Sequence, residues 1–118
     1  FWASWCTPCV REMPSIMRLG QAFRDQPFAV IGVNVAEGER RVAAAARRLD
    51  LDFPVLLDRN GDAFAAWGGH VLPTSYLLDR TGRARYVALG PLEWDDQEVV
   101  EVVERLLNES PGPTLAGK

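Results

Sequence analysis

Lysine is nearly missing from this 118-residue sequence: Lys118 is the one Lys among thirteen basic residues, and the others are Arg. That skew reads as the codon usage of a GC-rich genome rather than a functional device. Histidine occurs once, as His70, and cysteine twice, as Cys6 and Cys9. Two thiols and one imidazole fall short of the four ligands of a structural zinc site. Thiols so close in sequence would also make a poor staple, because closing a tiny loop removes little entropy from the unfolded chain. No apolar run reaches the ~18 residues of a membrane span, and no signal peptide is visible. The net charge of -3 argues against a nucleic-acid partner, which calls for a basic cluster. There is no initiator Met. The opening Phe1-Trp2-Ala3 reads as the end of a buried strand, so we expect a longer polypeptide with strands, and an anchor or export signal, upstream.

What is present is ordinary for a soluble globular domain, with 47% hydrophobic and 25% charged residues. The length suits one domain with a sizeable core. We assign residues 1–109 to that domain. The Pro- and Gly-containing stretch 110–118 reads as a loose tail.

From Thr7 the pattern takes on a helical period, with Val10, Met13, Ile16 and Phe23 on one face and Arg11, Glu12, Arg18 and Gln21 on the other. Glu12 therefore reads as surface charge. Pro8 suits the first helical position, and Pro14 should kink the helix by removing a bond to the carbonyl of Val10. Phe28 to Val35 is nearly continuous apolar sequence, as in a strand covered on both faces. Glu39 to Leu49 reads as a helix with a solvated Arg face, Pro54 to Asp58 as a strand, and Asn60 to Trp67 as a short helix stopped by Gly68-Gly69. Thr74–Asp79 and Ala84–Leu89 form an antiparallel hairpin around a short turn containing Gly82. A last helix starts at Asp95 or Asp96, with Glu98 spaced for a capping box. The order predicts an α/β fold: a mixed sheet with helices on both faces.

Both cysteines fall in "WCTPC", where a strand gives way to a helix. Helix N-termini present unpaired N–H groups and about half a positive charge, which stabilises a thiolate. A C-x-x-C pair near a βαβ pattern signals redox chemistry. Inert buried thiols and a structural disulfide are the competing readings. The small ring, expected to be exposed at a helix tip, favours a labile bond and hence exchange.

"FWASWCTPCVREMPSI" resembles the active-site segment of the thioredoxin superfamily, and within it the TlpA/ResA/CcmG-like thiol-disulfide oxidoreductases of bacteria. "VIGVNVAEGE", "FPVLLDRNGDAFAAWGG" and "VLPTSYLLDRTGR" follow in that family's order, and the likeness runs to about Asn108. It implies a thioredoxin-like sheet with an extra α-β insertion between Asn34 and Asp58 and with N-terminal strands missing. It also implies roles. Cys6, the more exposed thiol, attacks a client disulfide, and Cys9 resolves the mixed disulfide. Thr7 and Pro8 shape the helix start, and Trp5 shields one side of the sulfur. Pro73 resembles the family's cis-proline, with the Leu72 backbone binding an extended substrate. Glu37 resembles an acid held near the sulfurs, where an apolar setting would raise its pKa and let it carry protons. Each has a plainer alternative: Trp5 as packing, Pro73 as a strand start, Glu37 as a solvated loop acid.

His70, Trp67 and Trp94 read more simply as a loop residue and two packing residues. Asn108-Glu109-Ser110 matches a glycosylation pattern by chance. The resemblance implies protein thiol and disulfide clients, a thiol electron donor, and no cofactor beyond the Cys6/Cys9 pair. It also implies a periplasmic or other extracytoplasmic setting, with any membrane tether upstream of Phe1. Cytochrome c maturation is one such client pathway. A thiol peroxidase is the enzymatic alternative, although Ala3 stands where that group carries Thr or Ser. A Cu(I) carrier using the two thiolates is another, and a redox-inactive interaction module is a third.

Overall fold

The computed structural model describes residues 1–109. The tail expected at 110–118, and Ser110 of the Asn108-Glu109-Ser110 pattern, lie outside the described residues. The elements run α1 (Thr7–Ala22), β1 (Gly32–Val35), α2 (Glu39–Arg48), β2 (Val55–Asp58), α3 (Asp62–Ala66), β3 (Thr74–Leu78), β4 (Ala84–Leu89) and α4 (Gln97–Asn108).

β1 pairs with β2 in parallel, Gly32 opposite Val55, and β3 pairs with β4 antiparallel, Thr74 opposite Leu89. Phe1 to Ala3 join the two pairs. The Trp2 N–H donates to the Val33 carbonyl and the Val35 N–H to the Trp2 carbonyl, a parallel bridge. On the other side Phe1 and Thr74 exchange bonds at 2.7 and 3.3 Å. The result is one mixed arrangement, β2-β1-(1–3)-β3-β4, with the segment that carries Cys6 and Cys9 leaving its middle.

Side chains alternate across a strand, so Phe1 and Trp2 face opposite ways. Trp2, Ala3, Met13, Val42 and Ala45 form one core cluster with α1 and α2. Leu19, Phe23, Trp94 and Val103 form a second, under α4 and against Leu77 and Ala88. On the opposite face Phe1 packs on Phe64 of α3 at 5.3 Å between ring centres, and Trp67 packs on Tyr76 at 4.8 Å. Helices therefore cover both faces, as expected.

The strand expected at Phe28–Val35 is shorter than its apolar run. β2 begins at Val55, and Pro54 before it contributes only a carbonyl, taken by the Gly32 N–H at 2.9 Å. Residues 28–31 lie past the end of that partner, and Ile31 is 59% exposed rather than covered. The capping box at α4 does not form. Asp96 is the N-cap without a side-chain bond, and Asp95 turns instead to Arg18 at 2.7 Å. α1 runs unbroken through Pro14.

Candidate functional site

Cys6 is the N-cap of α1, and Pro8 occupies the first turn. The Cys9 N–H, otherwise one of the unpaired donors of a helix start, points at the Cys6 sulfur at 3.3 Å. The two cysteines form a disulfide across a Cα separation of 5.3 Å. The geometry follows from the sequence. A C-x-x-C pair at the start of a helix puts the second residue one turn above the first, with that residue's amide aimed back at the cap.

Cys6 is the more accessible of the two, as expected, but the margin is small: 5% against 0%. The pair is not broadly exposed at the helix tip. Both belong to the core cluster that includes Ala3, with Leu72 packed against that cluster, and only an edge of Cys6 reaches solvent. Trp5 beside it is 68% exposed, so it rims the site rather than filling the core. Thr7 and Pro8 are exposed on the same rim.

Pro73 is fully buried, and its peptide bond to Leu72 is cis. The Gly90 N–H donates to the Pro73 carbonyl at 2.9 Å, and the Thr74 hydroxyl to the Val71 carbonyl at 2.6 Å. Leu72 packs against the cysteine cluster. Among the described residues no backbone bond engages its N–H or C=O. Val71 is 47% exposed, and His70 is exposed ahead of it.

Glu37 is buried at the end of β1 and is tied to the loop ahead of Cys6. Its carboxylate accepts from the Ser4 N–H at 2.7 Å, the Ser4 hydroxyl at 2.5 Å and the Asn34 amide at 2.9 Å. Arg41 lies 3.6 Å away. Ala36 reaches the positive φ of 60° that folds Glu37 back toward Ser4. The expected raised pKa is not found. Burial pushes the carboxyl up, but the two Ser4 bonds, the Asn34 bond and Arg41 together hold it below its usual range. Glu37 is thus a fixed anion that braces the Ala3–Trp5 loop.

The acid whose pKa burial raises is Glu12. Charge patterning puts it on the solvent face, whereas the structure buries it at 4% exposure. Its Oε2 accepts from the Leu92 N–H and from the Trp94 indole N–H, both at 3.0 Å. Burial raises its pKa, and those two bonds offset part of the rise. The spacing carried the signal: Cys9, Glu12, Met13 and Ile16 stand at i, i+3, i+4 and i+7, one stripe of the helix. Ser15 extends the contact, accepting from the Trp94 N–H at 2.9 Å.

Glu12 also lines a cavity of about 640 Å³ that reaches Trp2, Trp94 and the edges of β1 and β3. The Trp2 indole N–H is buried without a partner among the described residues.

Comparison with known proteins agrees with this geometry. Over 96 residues the chain is 35% identical to the thiol-disulfide oxidoreductase ResA of Geobacillus thermodenitrificans, covering 81% of this chain and 55% of that protein. Over 101 residues it is 36% identical to the thioredoxin-like protein YneN of Bacillus subtilis, covering 83% and 58%. The chain thus spans little more than half the length of these curated relatives. Its fold is similar to a crystal structure from Chlorobium tepidum described as a thiol:disulfide interchange protein DsbE. The TM-score is 0.84 at 26% identity, covering 92% of this chain and 77% of that one. The fold is thioredoxin-like. The model of the Redoxin family matches residues 1–106, and the chain belongs to that family.

Proposed function

We propose that this domain exchanges disulfides with protein clients through Cys6 and Cys9. The observation that carries the reading is the Cys9 N–H directed at the Cys6 sulfur at a helix start, with Cys6 the thiol that reaches solvent. In the reduced state that donor and the helix dipole favour the Cys6 thiolate.

The thiolate attacks one sulfur of a client disulfide. A Cys6–client mixed disulfide forms and the first client thiolate leaves. Cys9, buried beside Cys6, then gives its proton to the Glu12 carboxylate, one turn along the same helix. The Cys9 thiolate attacks the Cys6 sulfur, the internal disulfide closes, and the second client thiolate leaves to collect the proton from Glu12. Two electrons pass to the client, and the first thiolate takes its proton from water. Run backwards, the same steps oxidise a dithiol.

Trp5, Thr7, Pro8, Leu72 and Pro73 rim the sulfurs. The free Leu72 backbone suits an extended client that adds to it as a strand. Clients are protein thiols and disulfides, a separate thiol donor restores the reduced state, and the Cys6–Cys9 pair serves without a further cofactor. We place the work outside the cytoplasm, where disulfides form and a dedicated reductant has targets. Apoproteins that need free cysteines for haem attachment fit that setting, as does a tether upstream of Phe1. No helix among the described residues is long and apolar enough to cross a membrane.

The test is a redox titration of the Cys pair combined with trapping by Cys9→Ser. We expect a two-electron titration and stable mixed disulfides on Cys6 with protein substrates. A pair that does not titrate, or trapped sulfenate without protein adducts, would overturn the reading.

A further inference from the structure

The loop between β4 and α4 lies along the active-site helix as a strap. Glu12, Ser15 and Arg18 stand at i, i+3 and i+6, a single line up α1. Glu12 accepts from the Leu92 N–H, Ser15 accepts from the Trp94 N–H, and Arg18 donates to the Asp95 carboxylate. At its other end the strap is bonded to the Pro73 loop through Gly90. Trp94 is the residue at which the strap meets the buried acid. Its backbone is held by Ser15, and its indole N–H donates to the same Glu12 oxygen that Leu92 uses. The ring is 5% exposed, packed with Leu19 and Val103. The N–H is therefore fixed in direction by its packing.

We propose that Trp94 is a positioning residue for disulfide exchange. It holds the Glu12 carboxylate in the ionised, oriented form that takes the proton of Cys9 when the mixed disulfide is resolved. This rests on the exchange reading above and adds the group that governs the proton step. An indole N–H is a donor only. It can stabilise the carboxylate but offers nothing to the lone pair of a protonated acid beyond a weaker bond, so it favours the form that accepts a proton. Few charges compete for that role. On α1, Arg11 and Arg18 are exposed, and Cys9 is buried one turn before Glu12. On the strap, Glu93 and Asp95 are exposed, as is Glu98 of α4. Asp58 and Asp79 line the cavity further off, with bonds of their own to Ala63 and Phe64 and to Thr81.

The experiment is Trp94→Phe, which keeps an aromatic ring and removes the N–H. The rate of resolution is followed in the reduced protein with insulin as the disulfide, by acid quench and mass spectrometry across pH. We expect the acid limb of the resolving step to move about one unit to higher pH. The Cys6–insulin adduct should accumulate below that limb. Ser15→Ala, which frees the Trp94 backbone but keeps the indole, should give a smaller shift in the same direction and serves if Trp94→Phe folds poorly. In a Glu12→Gln background Trp94→Phe should no longer move the profile, since the two act as a unit.

A Trp94→Phe profile that overlies the parent, or a shift of the same size in the Glu12→Gln background, overturns the proposal even if thermal stability falls. Parent protein that fails to reduce insulin at any pH would instead sink the exchange reading itself, so the two failures are distinct.

Discussion

The amide of Cys9 lies 3.3 Å from the sulfur of Cys6 and donates to it. In the exchange we propose, that donor favours one thiol as the nucleophile while its partner, at 0% exposure, stays covered. With the disulfide reduced, alkylation by iodoacetamide should label Cys6 first. Cys9 should react slowly in the native protein and readily in denaturant. Equal labelling of the two in the native state would contradict the assignment of nucleophile and resolver.

Glu37 makes a different kind of prediction, because it is held ionised. Its folded pKa lies below its unfolded one, so its contribution to stability is present above the unfolded carboxylate range. That contribution is lost as pH falls through the folded value. Glu37→Gln removes that dependence and leaves Ser4 with a weaker acceptor. We expect a loss on the order of 1 kcal/mol at neutral pH, shrinking in acid, with the pH–rate profile of exchange unmoved. Urea unfolding at several pH values checks the first part. A shifted pH–rate profile would return Glu37 to proton transfer.

Much of this was legible in the sequence, and the rest was hidden for definite reasons. The C-x-x-C pair, the helix behind it and the hairpin at Thr74–Leu89 are local features, set by spacing and turn chemistry within a few residues. Glu12 was misread because a charged residue on a helix is assigned to solvent unless a partner is known. Its partners, Leu92 and Trp94, are about 80 residues away. The sequence singles out Glu37 but suggests the opposite pKa direction. Burial is what an apolar sequence context suggests, whereas the opposing bonds come from Ser4 and Asn34, whose side chains converge only in the fold. The Phe28–Val35 strand was overextended because apolar character says nothing about whether a partner strand runs alongside.

α3 supplies a structural prediction away from the sulfurs. Its first turn is capped from outside: Asp58, at the end of β2, accepts from the Ala63 and Phe64 N–H groups at 3.0 and 2.9 Å. Gly61 at the N-cap has a φ of 77°, in the left-handed region. Asp58→Ala should cost about 1 kcal/mol as a lost cap, and Gly61→Ala about 1–2 kcal/mol as backbone strain. Both should loosen Phe64 against Phe1 without moving the potential of the Cys pair. A changed potential would mean that α3 is coupled to the active site.

The buried Glu12 sets function against stability, and the sign can be tested. Its folded pKa is raised by desolvation above the unfolded value. Its contribution to stability is therefore greatest below the unfolded carboxylate range, and it falls as pH rises through the folded pKa. Once ionised, the group sits in a place that disfavours charge. Glu12→Gln replaces it with a neutral side chain whose oxygen can still accept from Leu92 and Trp94. The variant should match or exceed the parent in thermal stability at pH 7, with the difference vanishing toward pH 4. Its resolving step should slow by roughly 10²-fold, within the usual range for losing a general base. Thermal melts across pH and single-turnover exchange together decide the matter. A variant less stable than the parent at pH 7, or one that resolves mixed disulfides as fast, would show that Glu12 is there to hold the 90–95 strap rather than to move a proton.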